Sequence, residues 1–459
     1  MIKRLHIKQI FLFLLLVLLV YAIQYAWKSF PIISGYGAKN LCSCMFVAGR
    51  DAGSVEKEEL GDFPLSLARY KINYTDSSVT ASIFGLAVKK SFFRRGLGCT
   101  LINDLSEKEI RSQKFVLTAP PLINPDSIPW PSGDKIIDSS YNGINRQQLK
   151  NILINAIKED GIIEKHGTRA LIVLYDGGLV GEEYATGFNR TSKMLCWSMV
   201  KSVMGTLIGI LVKNQQLNTQ LPAPINEWQG GNDRRKMITL QQLLQQTSGL
   251  KFEENYTKAS EVTNMLFKKG DMAGYTASLP LADEPGKQFN YSSGNSNLLS
   301  RIIRQTVGES LYHSFPYVSL FYKIGMLHTV IEPDAAGTFI GSSYMYASAR
   351  DCARLGLLYY NDGIFSGQRI LPEGWVKEAT MPSSADNRKH YGYQFWLNGF
   401  DKDLSKRWYP DGPADMYFAD GFNGQDIYII PSKKLVVVRL GLHVIDENDL
   451  LKKIIACTD

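Results

Sequence analysis

The sequence predicts an α/β (α+β) sandwich, an antiparallel sheet flanked by helices with a mostly helical subdomain inserted, behind an N-terminal transmembrane helix. Three observations predict it. An uncharged, apolar-dominated stretch covers residues 10–27. Two strand-like runs, 169–175 and 179–185, are joined by the hairpin turn Asp176-Gly177-Gly178. Two more, 426–430 and 435–440, flank Pro431-Ser432-Lys433-Lys434 near the other end. Strands at both ends of a unit, with helical segments between, suggest one sheet closed by its first and last segments.

The apolar N-terminal stretch comes first. Its eighteen residues, at about 1.5 Å each, just span a hydrocarbon core. Lys3, Arg4 and Lys8 precede it, which keeps the N-terminus cytoplasmic and sends the body across. The expected location is therefore the inner (cytoplasmic) membrane, crossed once through residues 10–27, with the main domain on the extracytoplasmic, periplasmic side. The competing reading is a cleaved signal peptide. The end of the stretch, Tyr25-Ala26-Trp27-Lys28, is a poor cleavage site, so an anchor over residues 1–30 is preferred.

Residues 31–140 read as an extension with short strands, such as Lys71-Ile72-Asn73-Tyr74-Thr75 and the run 79–84. It ends in a Pro-rich passage from Ala119-Pro120-Pro121 to Gly133. Such a passage fits no helix interior or central strand, so it reads as a boundary or a wrapping segment. A Cys42–Cys99 or Cys44–Cys99 disulfide suits an oxidising compartment. The chain has six cysteines but no Cys-x-x-Cys pair and no His cluster, so no metal site is implied.

The main unit spans residues 146–459. Its first helix, 147–158, places Leu149, Ile152, Leu153, Ala156 and Ile157 at helical spacing. An apolar content of 45% and a charged content of 21% allow a sizeable core and exclude a disordered chain. The net charge is +7, with Lys and Arg scattered. That distribution gives no nucleic-acid footprint.

Three elements carry chemistry. Ser198-Met199-Val200-Lys201 opens an apolar run, 203–212, that reads as a buried helix. Residues at i and i+3 share a helix face, so the serine hydroxyl lies beside the lysine amine. A serine is a weak nucleophile until a base takes its proton, and a lysine becomes that base when burial lowers its pKa. The second element is Tyr291-Ser292-Ser293-Gly294, before a helix at 298–303. A tyrosine there is one candidate to shuttle a proton to a leaving group; the other reading of the same residues is a capped helix start, with Ser292 or Ser293 as the cap. The third is Asp420-Gly421-Phe422-Asn423-Gly424-Gln425 at a strand entrance, where glycines let a ligand approach the backbone.

In this order the three elements resemble the serine β-lactamase and penicillin-binding-protein superfamily. The closer similarity is to the branch related to class C β-lactamases, with its esterases and nylon-oligomer (aminohexanoate-dimer) hydrolases. Trp197-Ser198-Met199-Val200-Lys201-Ser202, Thr247-Ser248-Gly249-Leu250, Tyr291-Ser292-Ser293-Gly294, Gly341-Ser342-Ser343-Tyr344 and Gly424-Gln425 carry the resemblance, over residues 146–459. It implies Ser198 as acylated nucleophile, Lys201 as base and Tyr291 as the second-motif tyrosine. It also implies an oxyanion hole from the backbone N–H groups of Ser198 and Gln425, beside Gly424 and Asn423. Ser293 stands where many relatives carry asparagine. Phe422 takes the place of the Lys or His that opens the third motif in lactamases and transpeptidases. A cation there binds a substrate carboxylate, and Phe422 cannot.

The expected activity is hydrolysis of an ester, amide or peptide through an acyl-enzyme, with no metal or organic cofactor. The alternatives are a β-lactamase or D-Ala-D-Ala peptidase, and an inactive membrane-anchored binding module of the same fold. A Ser–His–Asp hydrolase would show a Gly-x-Ser-x-Gly elbow, and the sequence has none.

Overall fold

The computed structural model describes residues 2–137, 141–159 and 167–458. Helix α1 (Ile2–Phe46) is one continuous element. Its apolar side chains at residues 10–20 are exposed, whereas Ile33, Ala38, Leu41 and Cys42 are buried against the body. The boundary expected at residue 30 is therefore absent: the helix runs on to residue 46. The helix passes through Ser34-Gly35-Tyr36-Gly37, although glycine disfavours helix. The structure supplies the reason for the small residues. A Cβ on Gly35 would lie 3.0 Å from Phe267 Cβ, and one on Gly37 2.6 Å from the Tyr70 hydroxyl. Packing overrides propensity at these positions.

Four strands, β1 (Ala68–Asn73), β2 (Ser78–Ile83), β3 (Leu86–Arg94) and β4 (Gly98–Leu101), form an antiparallel sheet in sequential order. The sheet packs on α1 and is tied to it by a Cys42–Cys99 disulfide, with Cys44 a buried free thiol. Inside α1, Lys39 forms a buried ion pair with Glu332 of the main unit, and Ser43 Oγ donates to the same carboxylate at 2.9 Å. The Pro-rich passage lies against the main unit. Arg354 donates to the carbonyls of Pro131 (2.9 Å) and Gly133 (2.7 Å), and the Trp130 indole donates to Gly177 O (3.1 Å).

The main unit opens with α2 (Arg146–Glu159) and the hairpin β5 (Thr168–Tyr175)–β6 (Gly178–Tyr184). Helices α3 (Met199–Lys213), α4 (Glu261–Lys268), α5 (Ser293–Val307) and α6 (Ala349–Tyr360) follow. Strands β7 (Trp396–Leu397), β8 (Tyr417–Gly421), β9 (Gln425–Ile430) and β10 (Leu435–Gly441) and helix α7 (Glu447–Ile455) complete it. The sheet order is β7-β8-β9-β10-β5-β6, antiparallel throughout. The last strand pairs with the first, Val437 opposite Val173, as the two strand pairs predict. Alternate residues serve opposite faces. Val173 and Val437 pack with Leu149 of α2 and Leu451 of α7. Ile172 and Val438 join the core that holds Val203 of α3 and Leu358 of α6.

Candidate active site

Ser198 sits at the N-terminus of α3, immediately before Met199. The chain reaches it from a short strand, Met194–Leu195, held beside Met345–Ala347, with Cys196 N–H donating to Met345 O at 2.8 Å. Trp197 makes the turn with φ 46°, a left-handed conformation that bulky residues seldom adopt. The turn aims Ser198 outward while α3 runs inward.

Lys201 lies one turn on and is buried. Its Nζ donates to Ser198 Oγ (2.9 Å), Ser342 O (2.9 Å) and Ser293 Oγ (3.2 Å). Burial lowers its pKa from the ordinary lysine value to about 8, against the opposing charges of Glu254 and Asp420. A substantial fraction of the amine is therefore neutral near pH 8. Tyr291 lies across from it, with Lys201 Nζ 4.9 Å from the ring centroid. Desolvation, helped by Tyr391 and Glu254, raises the phenol well above its ordinary value, although a hydrogen bond with Ser198 opposes the shift. Tyr291 thus holds its proton where Lys201 can lose one. Trp396 stacks on Tyr291 at 4.9 Å and fixes the ring.

Ser293 opens α5 and contributes a polar contact to the lysine. It also donates to Glu254, from its N–H (2.8 Å) and its hydroxyl (2.5 Å). Tyr256 donates to the same carboxylate at 3.0 Å. Glu254 was not singled out in the sequence, and Asp420 was named there only as the first residue of the third element, without a role toward the lysine. Glu254 lies in an irregular loop and Asp420 in a strand. Each reaches the lysine only through the fold. Asp420 lies opposite Asp426 on β9. Desolvation, with the charge of Glu447, raises it to about 7, and Asp426 and Lys201 oppose the shift.

The third element is a hairpin loop between β8 and β9, and its residues point two ways. Gly421 abuts the segment that leads into Ser198, since a Cβ there would lie 2.3 Å from Cys196 O. The Phe422 ring meets Trp197 edge-on (5.8 Å) and stacks on Tyr256 (6.4 Å). Asn423 and Gly424 make the turn, with φ 66° and 74°. Gly424 O accepts from Arg439 (2.8 Å). Gln425 is buried on β9; its amide donates to Gly441 O and accepts from Gly441 N–H (3.1 Å). Residues 420–422 thus border the Ser198–Lys201 pair, whereas the Gly424 carbonyl and the Gln425 side chain engage the end of β10.

Helix α1 also reaches the site: Tyr36 stacks on Trp197 at 6.0 Å. A cavity of about 240 Å³ adjoins Trp197 and Phe422 and is lined as well by Tyr36, Asn40, Arg50 and Arg169. His390 is bonded to Asp386 at Nδ1 (2.7 Å) and packs on Phe289 and Trp396, a buried partnership that the sequence did not suggest.

The beta-lactamase family model matches residues 158–441. The chain belongs to the beta-lactamase family. It is 23% identical over 291 residues to the 6-aminohexanoate-dimer hydrolase of Paenarthrobacter ureafaciens, covering 61% of this chain and 73% of that one. Solved structures share the fold. A penicillin-binding-protein homologue from Caulobacter crescentus superposes with a TM-score of 0.53 at 15% identity, over 68% of this chain and 97% of that one. A family VIII carboxylesterase does so with 0.52 at 14% identity, over 67% and 97%. These similarities agree with the superfamily read from the three motifs and with a hydrolase of this family.

Proposed function

We propose that this family member is a membrane-anchored serine hydrolase that cleaves an ester or amide through an acyl-enzyme on Ser198. The observation that carries the reading is the 2.9 Å contact between Ser198 Oγ and a buried Lys201 amine whose pKa is about 8. Neutral Lys201 takes the Ser198 proton as Oγ bonds to the substrate carbonyl carbon. The proton passes by way of Tyr291 to the leaving alcohol or amine as its bond to carbon breaks. Water then attacks the acyl-enzyme, gives up a proton to the same base and frees the acid and Ser198.

The developing oxyanion needs two donors. Ser198 N–H, at the start of α3, is one. For the other we place Phe422 N–H ahead of Gln425 N–H. Support comes from Gly421, which packs directly on Cys196, and from the Gln425 side chain, which is bonded to the far side of the hairpin. No cation stands at Phe422, which favours neutral esters and amides over penicillin-like carboxylates. The apolar, exposed first part of α1 supports anchoring, and its basic flank favours an extracytoplasmic catalytic unit.

The test is turnover of a p-nitrophenyl ester by full-length protein and by Ser198→Ala. Loss of turnover with an unchanged circular dichroism spectrum is expected, together with fluorophosphonate labelling of Ser198 in the parent. Turnover retained by Ser198→Ala would overturn the assignment.

A further inference from the structure

Apolar side chains are left open on the β2–β3 hairpin beside α1 and at Phe63, two residues before the Leu65 that packs against the same helix. Phe63, Phe84, Leu86 and Val88 are all exposed, Phe63 and Phe84 at 80% and 74%. Scattered exposed apolar residues are ordinary, but grouped ones mark a contact surface. Phe84, Leu86 and Val88 belong to one hairpin. Its loop is two residues, since Ile83 pairs with Leu86. Both loop residues are left-handed, Phe84 at φ 51° and Gly85 at φ 77°. Such a loop ordinarily takes Asn-Gly or Asp-Gly. A phenylalanine there is poor turn chemistry, so its side chain serves something other than the turn.

Phe84 meets Phe30 of α1 edge-on, with centroids 6.1 Å apart. Phe30 lies three residues beyond Trp27, the last residue of the apolar run. At about 1.5 Å per residue that is under 5 Å of rise, so the hairpin tip is level with the end of the run. Ile33, Ala68 and Ile83 pack with Phe30 and Leu65 and hold the tip there. Lysines join this face. Lys268, at the end of α4, has its pKa lowered by burial, then by the charges of Lys269 and Lys28. Three amines thus gather around the helix base. Aromatic and apolar tips beside lysines suit a lipid headgroup layer, where rings sit at the interface and amines meet anionic lipid.

We infer that this face, built from Phe63, the Phe84–Val88 hairpin and the Lys28, Lys268, Lys269 cluster, rests on the bilayer that α1 enters and docks the catalytic unit against it. The inference relies on the anchoring reading of α1. Its consequence is positional. Tyr36, which stacks on Trp197 beside the nucleophile, lies nine residues beyond Trp27, about 14 Å along the helix. A docked domain holds the Ser198 cleft at that height above the lipid instead of letting it swing on a hinge.

The test uses the full chain in phosphatidylethanolamine–phosphatidylglycerol vesicles containing a spin-labelled lipid. The native cysteines are buried or disulfide-bonded, so an environment-sensitive fluorophore goes onto one introduced cysteine at a time. The positions are Val20→Cys in the apolar run, Leu86→Cys on the hairpin and Leu404→Cys on the loop after β7. Lipid quenching at positions 20 and 86, with none at 404, is expected. Adding Phe84→Asp and Val88→Asp should cut quenching at 86 several-fold and leave 20 unchanged. Quenching at 20 with a water-exposed, iodide-accessible label at 86 would overturn the docking face and leave the anchor standing. No quenching at 20 would remove the anchor, and the docking face with it.

Discussion

The cleft has two walls of opposite character. One is polar and ionisable: Ser198, Lys201, Tyr291 and Ser293, with Glu254 and Asp420 acting on the lysine's charge. The other is aromatic: Tyr36 stacks on Trp197, Trp197 meets Phe422 of the third-motif hairpin edge-on, and Phe422 stacks on Tyr256. The first wall is built from groups whose protonation matters, so small changes there should alter rate and pH dependence. The second is built from surface area, so changes there should alter substrate binding. The contrast separates chemistry from selection.

The largest break is expected at Lys201. Lys201→Met keeps much of the buried volume but removes the proposed base, and loss of general-base catalysis typically costs about a hundred- to ten-thousand-fold. We expect kcat for a p-nitrophenyl ester to fall within that range with KM little changed. A loss smaller than ten-fold would show that another group takes the Ser198 proton. In the parent protein, kcat/KM should fall as pH drops below about 8, because protonated Lys201 cannot accept a proton.

Next comes the seam where the walls meet. Gly421→Ala would put a Cβ 2.3 Å from Cys196 O and 3.0 Å from Gln425 Cβ. Overpacking of this kind costs about 1–3 kcal/mol, visible as a lowered Tm. It should also push β8 off the nucleophile's segment. Displacing one oxyanion donor costs up to about a hundred-fold or more in kcat. A variant with parent kcat would place the second donor elsewhere, and Gln425 would return as the candidate.

A smaller effect, with a diagnostic sign, is expected at Glu254. Its negative charge raises the Lys201 pKa. Glu254→Gln removes the charge, keeps an acceptor for Ser293, and should move the acid limb of the kcat/KM profile to lower pH. The weakened hydrogen bonding, worth about 1 kcal/mol, should cost about five-fold in plateau rate. An acid limb that stayed in place or moved upward would separate Glu254 from the lysine.

These residues also mark how much was legible beforehand. Ser198 and Lys201 meet because they stand three positions apart at the start of one helix, and that relation is written in local order. The closure of β10 on β5 followed from strand pairs at the two ends of one unit. Glu254 reaches Lys201 from an irregular loop that no local pattern marks, and Asp420, though part of the third element, acts on the lysine only through the placement of β8. The course of α1 past residue 30 was hidden for a different reason. Gly35 and Gly37 disfavour helix in isolation and are tolerated only because Phe267 and Tyr70 come so close. The third motif was found, but the exposed Phe422 ring and the buried Gln425 amide are told apart by strand pairing, not by residue order.

The smallest effect on kcat should come from the aromatic wall, and it is the sharpest test of the contrast. Phe422→Ala removes the ring that meets Trp197 and Tyr256 and keeps the backbone N–H assigned to the oxyanion. Aromatic contacts of this kind are worth about 0.5–1.5 kcal/mol. KM for an aromatic ester should therefore rise about two- to ten-fold, with kcat and its pH profile unchanged and a smaller change for an acetate ester of a small alcohol. A fall in kcat with constant KM would mean that the ring itself holds the reacting geometry, and the two walls would then act as one.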